Sequence, residues 1–156
     1  MRRITLGIST ALGTAALATG ALALAPTASA VDPTTATITA DCGAFGSGSA
    51  TLVATQDGTS ATITLSSSAV TTPLDVPAGA VQSTLTLSKN GSGTTTFTGN
   101  ANPAIPANSA VTTGPLNGTV AAGDKLEATS LKLVVFGFIT VNCTATSAQS
   151  PGPFTF

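Results

Sequence analysis

The sequence predicts an all-β domain, and three observations carry that reading. From residue 31 onward apolar and polar residues alternate with a period of two, which sends successive side chains to opposite faces of a strand. Turn-forming pairs such as Asp57-Gly58 and Asn90-Gly91 interrupt this alternation at short, fairly even intervals. No stretch beyond residue 30 shows the spacing of an amphipathic helix, and the abundance of Thr and Val suits a pleated surface.

Residues 1–30 read differently. "MRRITLGISTALGTAALATGALALAPTASA" has a positive pair, Arg2-Arg3, then an uncharged run, then Pro26. Ala28-Ser29-Ala30 supplies the small residues that a signal peptidase requires before its cut. The run has the length of a membrane anchor, but its Ala, Gly and Thr content and its Pro26 favour a cleaved export signal. The expectation is therefore a signal peptide over 1–30 and one secreted, extracellular domain over 31–156, with no membrane span in the mature protein.

The strands can be placed in order. In "TTATITADC" Ile38, Ala40 and Cys42 share a face. "SATLVATQDGTSATITLSS" reads as two strands about Asp57-Gly58, with Ile63 and Leu65 inward. "VQSTLTLSKNGSGTTTFTG" repeats the plan about Asn90-Gly91, with Leu85, Leu87 and Phe97 inward. "GPLNGTVAAGDKLEATS" places one turn at Asn117-Gly118 and another at Gly123-Asp124. "TTPLDVPAG" and "NPAIPANS" each carry two prolines, which cannot sit in a central strand and so mark crossings or edges. Short strands with regular turns describe a sandwich or a small barrel, and the expectation is a single immunoglobulin-like antiparallel β-sandwich.

"LKLVVFGFITVNCTA" is the most apolar part of that domain. Leu131, Leu133, Val135, Ile139, Val141 and Cys143 fall on one face, and Lys132, Val134, Phe136, Phe138 and Thr140 on the other. One long strand bent at Gly137 would satisfy this pattern. A hairpin with the three-residue tip Phe136-Gly137-Phe138 also does, pairing Leu133 with Val141 and Val135 with Ile139, and register favours it.

Cys42 and Cys143 are the only cysteines, and in an exported chain they are expected to form one disulfide between inward faces. Absences bound the chemistry further. There is no His, Tyr or Trp, so no triad can move its proton through an imidazole. Metal sites lose their commonest nitrogen ligand, and neither a metal nor a cofactor is expected. Only 7% of residues are charged and no basic patch exists, which argues against nucleic acid as a partner.

Asp124 and Glu127 are the carboxylates closest in sequence, but strand alternation sends them to opposite faces, as solvated charges beside a turn. Paired threonines such as Thr62/Thr64 could order water on a flat sheet, but they follow no fixed repeat and suit an uncharged outer face. Phe136 and Phe138 face away from the core side and call for a cover. The tail "SPGPFTF" offers Phe154 and Phe156, either as that cover or as a cap on an open end of the sandwich.

With its Ala/Thr/Gly-rich leader, Thr-rich alternating body, early "DCG" and late "ITVNCTA", the chain resembles the small secreted β-sandwich proteins of actinobacteria, which mostly have no assigned function. It has a more distant likeness to the neocarzinostatin-type apoproteins, which are secreted immunoglobulin-like carriers of an apolar chromophore. Those have two disulfides, whereas this chain can form one.

The functional expectation is a non-enzymatic secreted or wall-associated module whose partner is a cell-wall component, another protein or an apolar small molecule. A small-molecule carrier would use a cleft lined by Phe97, Phe136 and Phe138. A hydrolase with a minimal Ser–Lys or carboxylate site ranks third. The intact mass of protein recovered from culture medium should correspond to a chain beginning at Val31. A mass retaining residues 1–30 in a membrane fraction would contradict the cleavage.

Overall fold

A computed structural model describes residues 30–156. The expected signal peptide lies, apart from Ala30, outside these described residues. The strands are β1 (Thr35–Asp41), β2 (Ser47–Asp57), β3 (Ser60–Thr71), β4 (Val81–Lys89), β5 (Gly93–Gly99), β6 (Ala110–Thr119), β7 (Lys125–Val135), β8 (Ile139–Ala145) and β9 (Phe154–Thr155). A single 3-10 turn, Gly43–Phe45, joins β1 to β2. All ladders between strands are antiparallel.

Strand order is β4-β5-β6-β3-β2-β1-β8-β7, and β7 pairs back onto β4 while β9 adds to β7. Eight strands thus close into a barrel, which corrects the expectation of two separate sheets. Closure gives the edge N–H and C=O groups partners that an open sandwich would leave to solvent.

The ring is uneven. β1 and β8 share only Ala40↔Ala145 and Asp41↔Thr144. β5 and β6 share only Thr98↔Asn117. Two four-stranded walls, β6-β3-β2-β1 and β5-β4-β7-β8, therefore meet at two narrow seams.

Each seam has a side-chain fastening. Beside the β1–β8 seam, Cys42 and Cys143 form a disulfide across 101 residues of sequence, and both are buried. At the β5–β6 seam the ring of Phe97 lies against Gly118, where a Cβ would stand 2.5 Å from it. This corrects the turn expected at Asn117-Gly118. Both residues lie within β6, opposite Thr62 and Ala61, and the glycine there makes room for a ring.

Alternation places the inward residues as the sequence predicts. Ile38, Ile63, Leu65, Leu85, Leu87, Phe97, Leu133 and Val141 are buried. The core divides into two apolar clusters, one containing Leu85 and the other Val81. Between those two positions on β4 sits buried Ser83, hydrogen-bonded to Thr113 of β6. Outward positions are mainly Thr and Ser, with pairs such as Thr55 and Thr62 joined through their hydroxyls at 2.7 Å. An apolar inside and polar outside is the reverse of a lipid-facing barrel.

The two ends of the barrel differ. One end, the base, carries the turns after β2, β4 and β6 together with β9. The other, the mouth, carries the 3-10 turn, the crossings 72–80 and 100–109, and the β7–β8 tip. That tip is the expected hairpin, with Leu133↔Val141 and Val135↔Ile139 in register. Phe136 at φ 53° and Gly137 at φ 79° turn the chain, and the Phe138 N–H donates to the Val135 carbonyl at 3.2 Å.

Replacing both cysteines by alanine should lower stability by about 2–4 kcal/mol, as expected for a long closed loop. Denaturant titration of the variant, and of the parent with and without reductant, checks this. Equal stability in all cases would mean that the β1–β8 seam holds without the bond.

Candidate functional site

The mouth is built by the two proline-bearing crossings. Their prolines keep them out of the sheet, and they pair with each other instead. Val76 and Ile105 exchange two backbone hydrogen bonds of 2.8 Å, and both side chains turn inward. Asn102 locks the arrangement from a buried position. Its Oδ1 accepts from the Val81 N–H at 2.9 Å, and its Nδ2 donates to the carbonyls of Pro77 at 3.0 Å and Pro103 at 2.7 Å. A buried amide with all these partners holds a loop firmly, because leaving any of them unpaired costs free energy.

Under these crossings lies an apolar cleft of about 90 Å³, walled by Phe45, Val70, Leu74, Val135, Phe136 and Ile139 among others. A second apolar space of about 50 Å³ adjoins it across Val70, Val111 and Leu133, against Leu65, Leu85, Leu131 and the disulfide. Phe45, Leu74, Phe136 and Phe138 stand exposed at this end. The Phe136 and Phe138 rings stack with centroids 6.4 Å apart. Phe136 also sits in the left-handed region, which is unusual for a bulky side chain and marks a locally strained position.

The residues singled out in the sequence do not gather in one place. Phe136 and Phe138 are at the mouth, 39% and 77% exposed, whereas Phe97 is fully buried in the other core cluster. A cleft lined by all three is therefore absent. Phe154 and Phe156 are also buried, edge to face at 6.3 Å, in the same cluster as Phe97. Phe154 pairs with Leu126 at the start of β7, while Phe136 follows its end. The tail therefore plugs the base and does not cover Phe136 and Phe138.

Asp124 departs from expectation as well. It is buried at the base, not solvated. Its Oδ2 meets Lys89 Nζ at 2.8 Å and accepts from the Ala121 N–H at 2.8 Å, while Oδ1 accepts from Asn90 Nδ2 at 3.3 Å. The Lys89 ammonium foremost, then the Ala121 amide, hold its carboxyl below the ordinary carboxylate value against the opposing effect of burial. Asn90 completes the knot by accepting from the Lys125 N–H through Oδ1 at 2.9 Å. Glu127 accepts from the Gln149 N–H at 3.1 Å. Both carboxylates thus fasten turns and tail. Lys125 and Lys132, the lysines a serine could use as base, both stand exposed on β7.

Sequence reasoning missed Phe45, Leu74 and Asn102. Phe45 follows the cysteine in "DCGAF", and Leu74 and Asn102 sit beside prolines. A large apolar residue in a proline-bearing crossing was the available signal. Among the described residues no group of three or more His, Cys, Asp or Glu could hold a metal ion, and no helix is long and apolar enough to cross a membrane. Compared with protein-family models, curated proteins and solved structures, the chain finds no match in any of the three, so its own residues must carry the functional argument.

The Asp124 knot predicts an acid-dependent contribution to stability. Its folded-state pKa is depressed, so the contribution is fully present above the unfolded value, about 4, and is lost as pH falls through the lower folded value. Asp124→Asn should destabilise by about 1–3 kcal/mol at pH 7. Denaturant titration at pH 7 and near pH 2 should show the gap between parent and variant narrowing in acid. A gap independent of pH would assign the effect to packing.

Proposed function

We propose that this chain is a non-enzymatic, exported β-barrel module that binds an apolar partner at its mouth. The observation that carries the reading is the exposed set Phe45, Leu74, Phe136 and Phe138 around an apolar cleft. Clustered exposed apolar side chains mark contact sites, whereas outward strand positions elsewhere are mainly threonine and serine, with Val53 the other exposed large hydrophobic among the described residues. The leader over 1–30 and the buried disulfide agree with an oxidising, extracellular setting. The carboxylates nearest in sequence serve as structural ties, which supports binding over a carboxylate-based hydrolysis.

The immunoglobulin-like reading is retained in a modified form. β3 pairs with β6 and β4 with β7, so each wall holds one long-range crossing pair, as Greek-key sandwiches do. The closed ring is then such a sandwich joined along both edges. A second functional reading, a carrier of an apolar small molecule, draws on the apolar space beside the cleft. Neither space reaches the few hundred Å³ of sites that enclose a drug-sized ligand, which favours the mouth as a contact surface.

The intact protein should bind the fluorescent dye anilinonaphthalene sulfonate at the mouth. Phe138→Ser combined with Phe136→Asn, the asparagine tolerating positive φ, should cut that binding at least about threefold, with stability changed by less than about 1 kcal/mol. Unchanged dye binding in this variant would remove the mouth as the contact site.

A further inference from the structure

Resting on the reading of the mouth as an apolar site, we infer that its partner is the mouth of a second copy of this chain, with Phe138 of each copy seated in the cleft of the other. The observation that carries this is a knob beside a hole on one surface. Phe138 is 77% exposed at the β7–β8 tip and takes no part in lining the cleft. Its ring stacks on Phe136, which does line it. The knob therefore stands next to the cleft of its own molecule and does not fill it.

The size of the cleft selects a side chain as its occupant. A cavity of about 150 Å³ encloses a whole benzene ring. The cleft measures about 90 Å³ and is bordered by the exposed Phe45, Leu74 and Phe136. It seats one ring part-way and has no room for a larger group. A surface that carries both an unfilled cleft and an unclaimed ring is complementary to itself, which is the condition for an isologous contact about a two-fold axis. Two rings are then buried, one from each copy, and the two bases lie at the far ends of the pair.

Charge and rigidity agree with this arrangement. Two copies of one strongly charged surface repel, because like charges are brought together. Residues 43–45, 72–80, 100–109 and 136–138 carry a single charged group, Asp75, and its Oδ1 accepts from the Ala107 N–H at 2.7 Å. Asp41, just before the 3-10 turn, likewise accepts from the Gly43 N–H at 2.8 Å. Backbone pairing and the Asn102 amide already fix the crossings, so little conformational entropy is lost when they are covered. Four exposed large apolar side chains per copy are few beside the roughly 20–30 residues a side of a standard interface. The pair is therefore weak and reversible.

The test is sedimentation equilibrium of the disulfide-bonded protein from about 10 μM to about 1 mM, a range that populates weak complexes, with dye binding measured in parallel on dilute protein. The parent should pass from monomer to dimer as its concentration rises. Phe138→Ser removes the knob and leaves the cleft, whereas Leu74→Lys leaves the knob and puts a charge in the cleft wall. Each variant alone should associate at least about tenfold more weakly than the parent. An equimolar mixture of the two should recover part of that loss, through the one knob and the one cleft still intact. Thr71→Lys, at another exposed position of the wall, replaces Leu74→Lys if that variant does not fold. A parent that stays monomeric while its mouth binds the dye refutes self-pairing and leaves the apolar mouth standing. Monomer without dye binding refutes both. A dimer that persists undiminished in Phe138→Ser lies on another surface and overturns the proposal, and a mixture no stronger than its better component refutes the mutual insertion of rings.

Discussion

The bond between Cys42 and Cys143 decides whether the two walls of this barrel form one body. Backbone pairing between β1 and β8 amounts to two residue pairs, too little to hold an edge closed against fraying. The disulfide sits beside that ladder and restricts how far β1 can separate from β8. Once β1 is held, β2 and β3 follow through long ladders, and β3 carries β6. The opposite seam needs no covalent bond because Phe97 packs across it into the space left by Gly118. The chain has few charges, so closure must come from covalent linkage and packing.

The ends of the barrel are closed by different means. At the base, Phe154 and Phe156 fill the interior, and the Asp124–Lys89 pair ties the turns after β4 and β6 to the tail. Buried ion pairs are poor sources of net stability, but breaking one leaves a charge without a partner. Such a pair therefore makes the local geometry specific. The mouth has no ion pair among the described residues. Its crossings are held by backbone bonds and by the neutral amide of Asn102, so the apolar cleft is not crossed by any charge.

Most of the fold was legible because a period of two is a strong signal. Alternation assigned the inward residues, and register arithmetic favoured the hairpin at Phe136-Gly137-Phe138, which the structure shows, while leaving a bent strand open. The pairing of the cysteines followed from their number. Closure was not legible, because which strands meet at an edge depends on the twist of both walls, not on any local pattern. Asn117-Gly118 misled for a related reason. A glycine that admits a ring from a neighbouring strand looks the same in sequence as one that turns the chain. The mouth was half visible. Phe136 and Phe138 announced themselves by facing away from the core side, whereas Phe45 and Leu74 lie in segments with no periodicity to read. Phe97 was correctly placed inward, but inwardness alone does not say which of two clusters a side chain joins.

The bridge between Asp32 and Thr155 brings the two described chain ends side by side at the base. β7, with 11 residues, spans the barrel from there to the mouth, roughly 35 Å at the rise of an extended strand. Any tether joined to the expected mature N-terminus at Val31 leaves the domain on the side away from Phe138. An anchored copy would therefore stand with its aromatic rim outward, and copies spread on a surface would present their clefts in parallel. Such geometry lets weak individual contacts add through avidity.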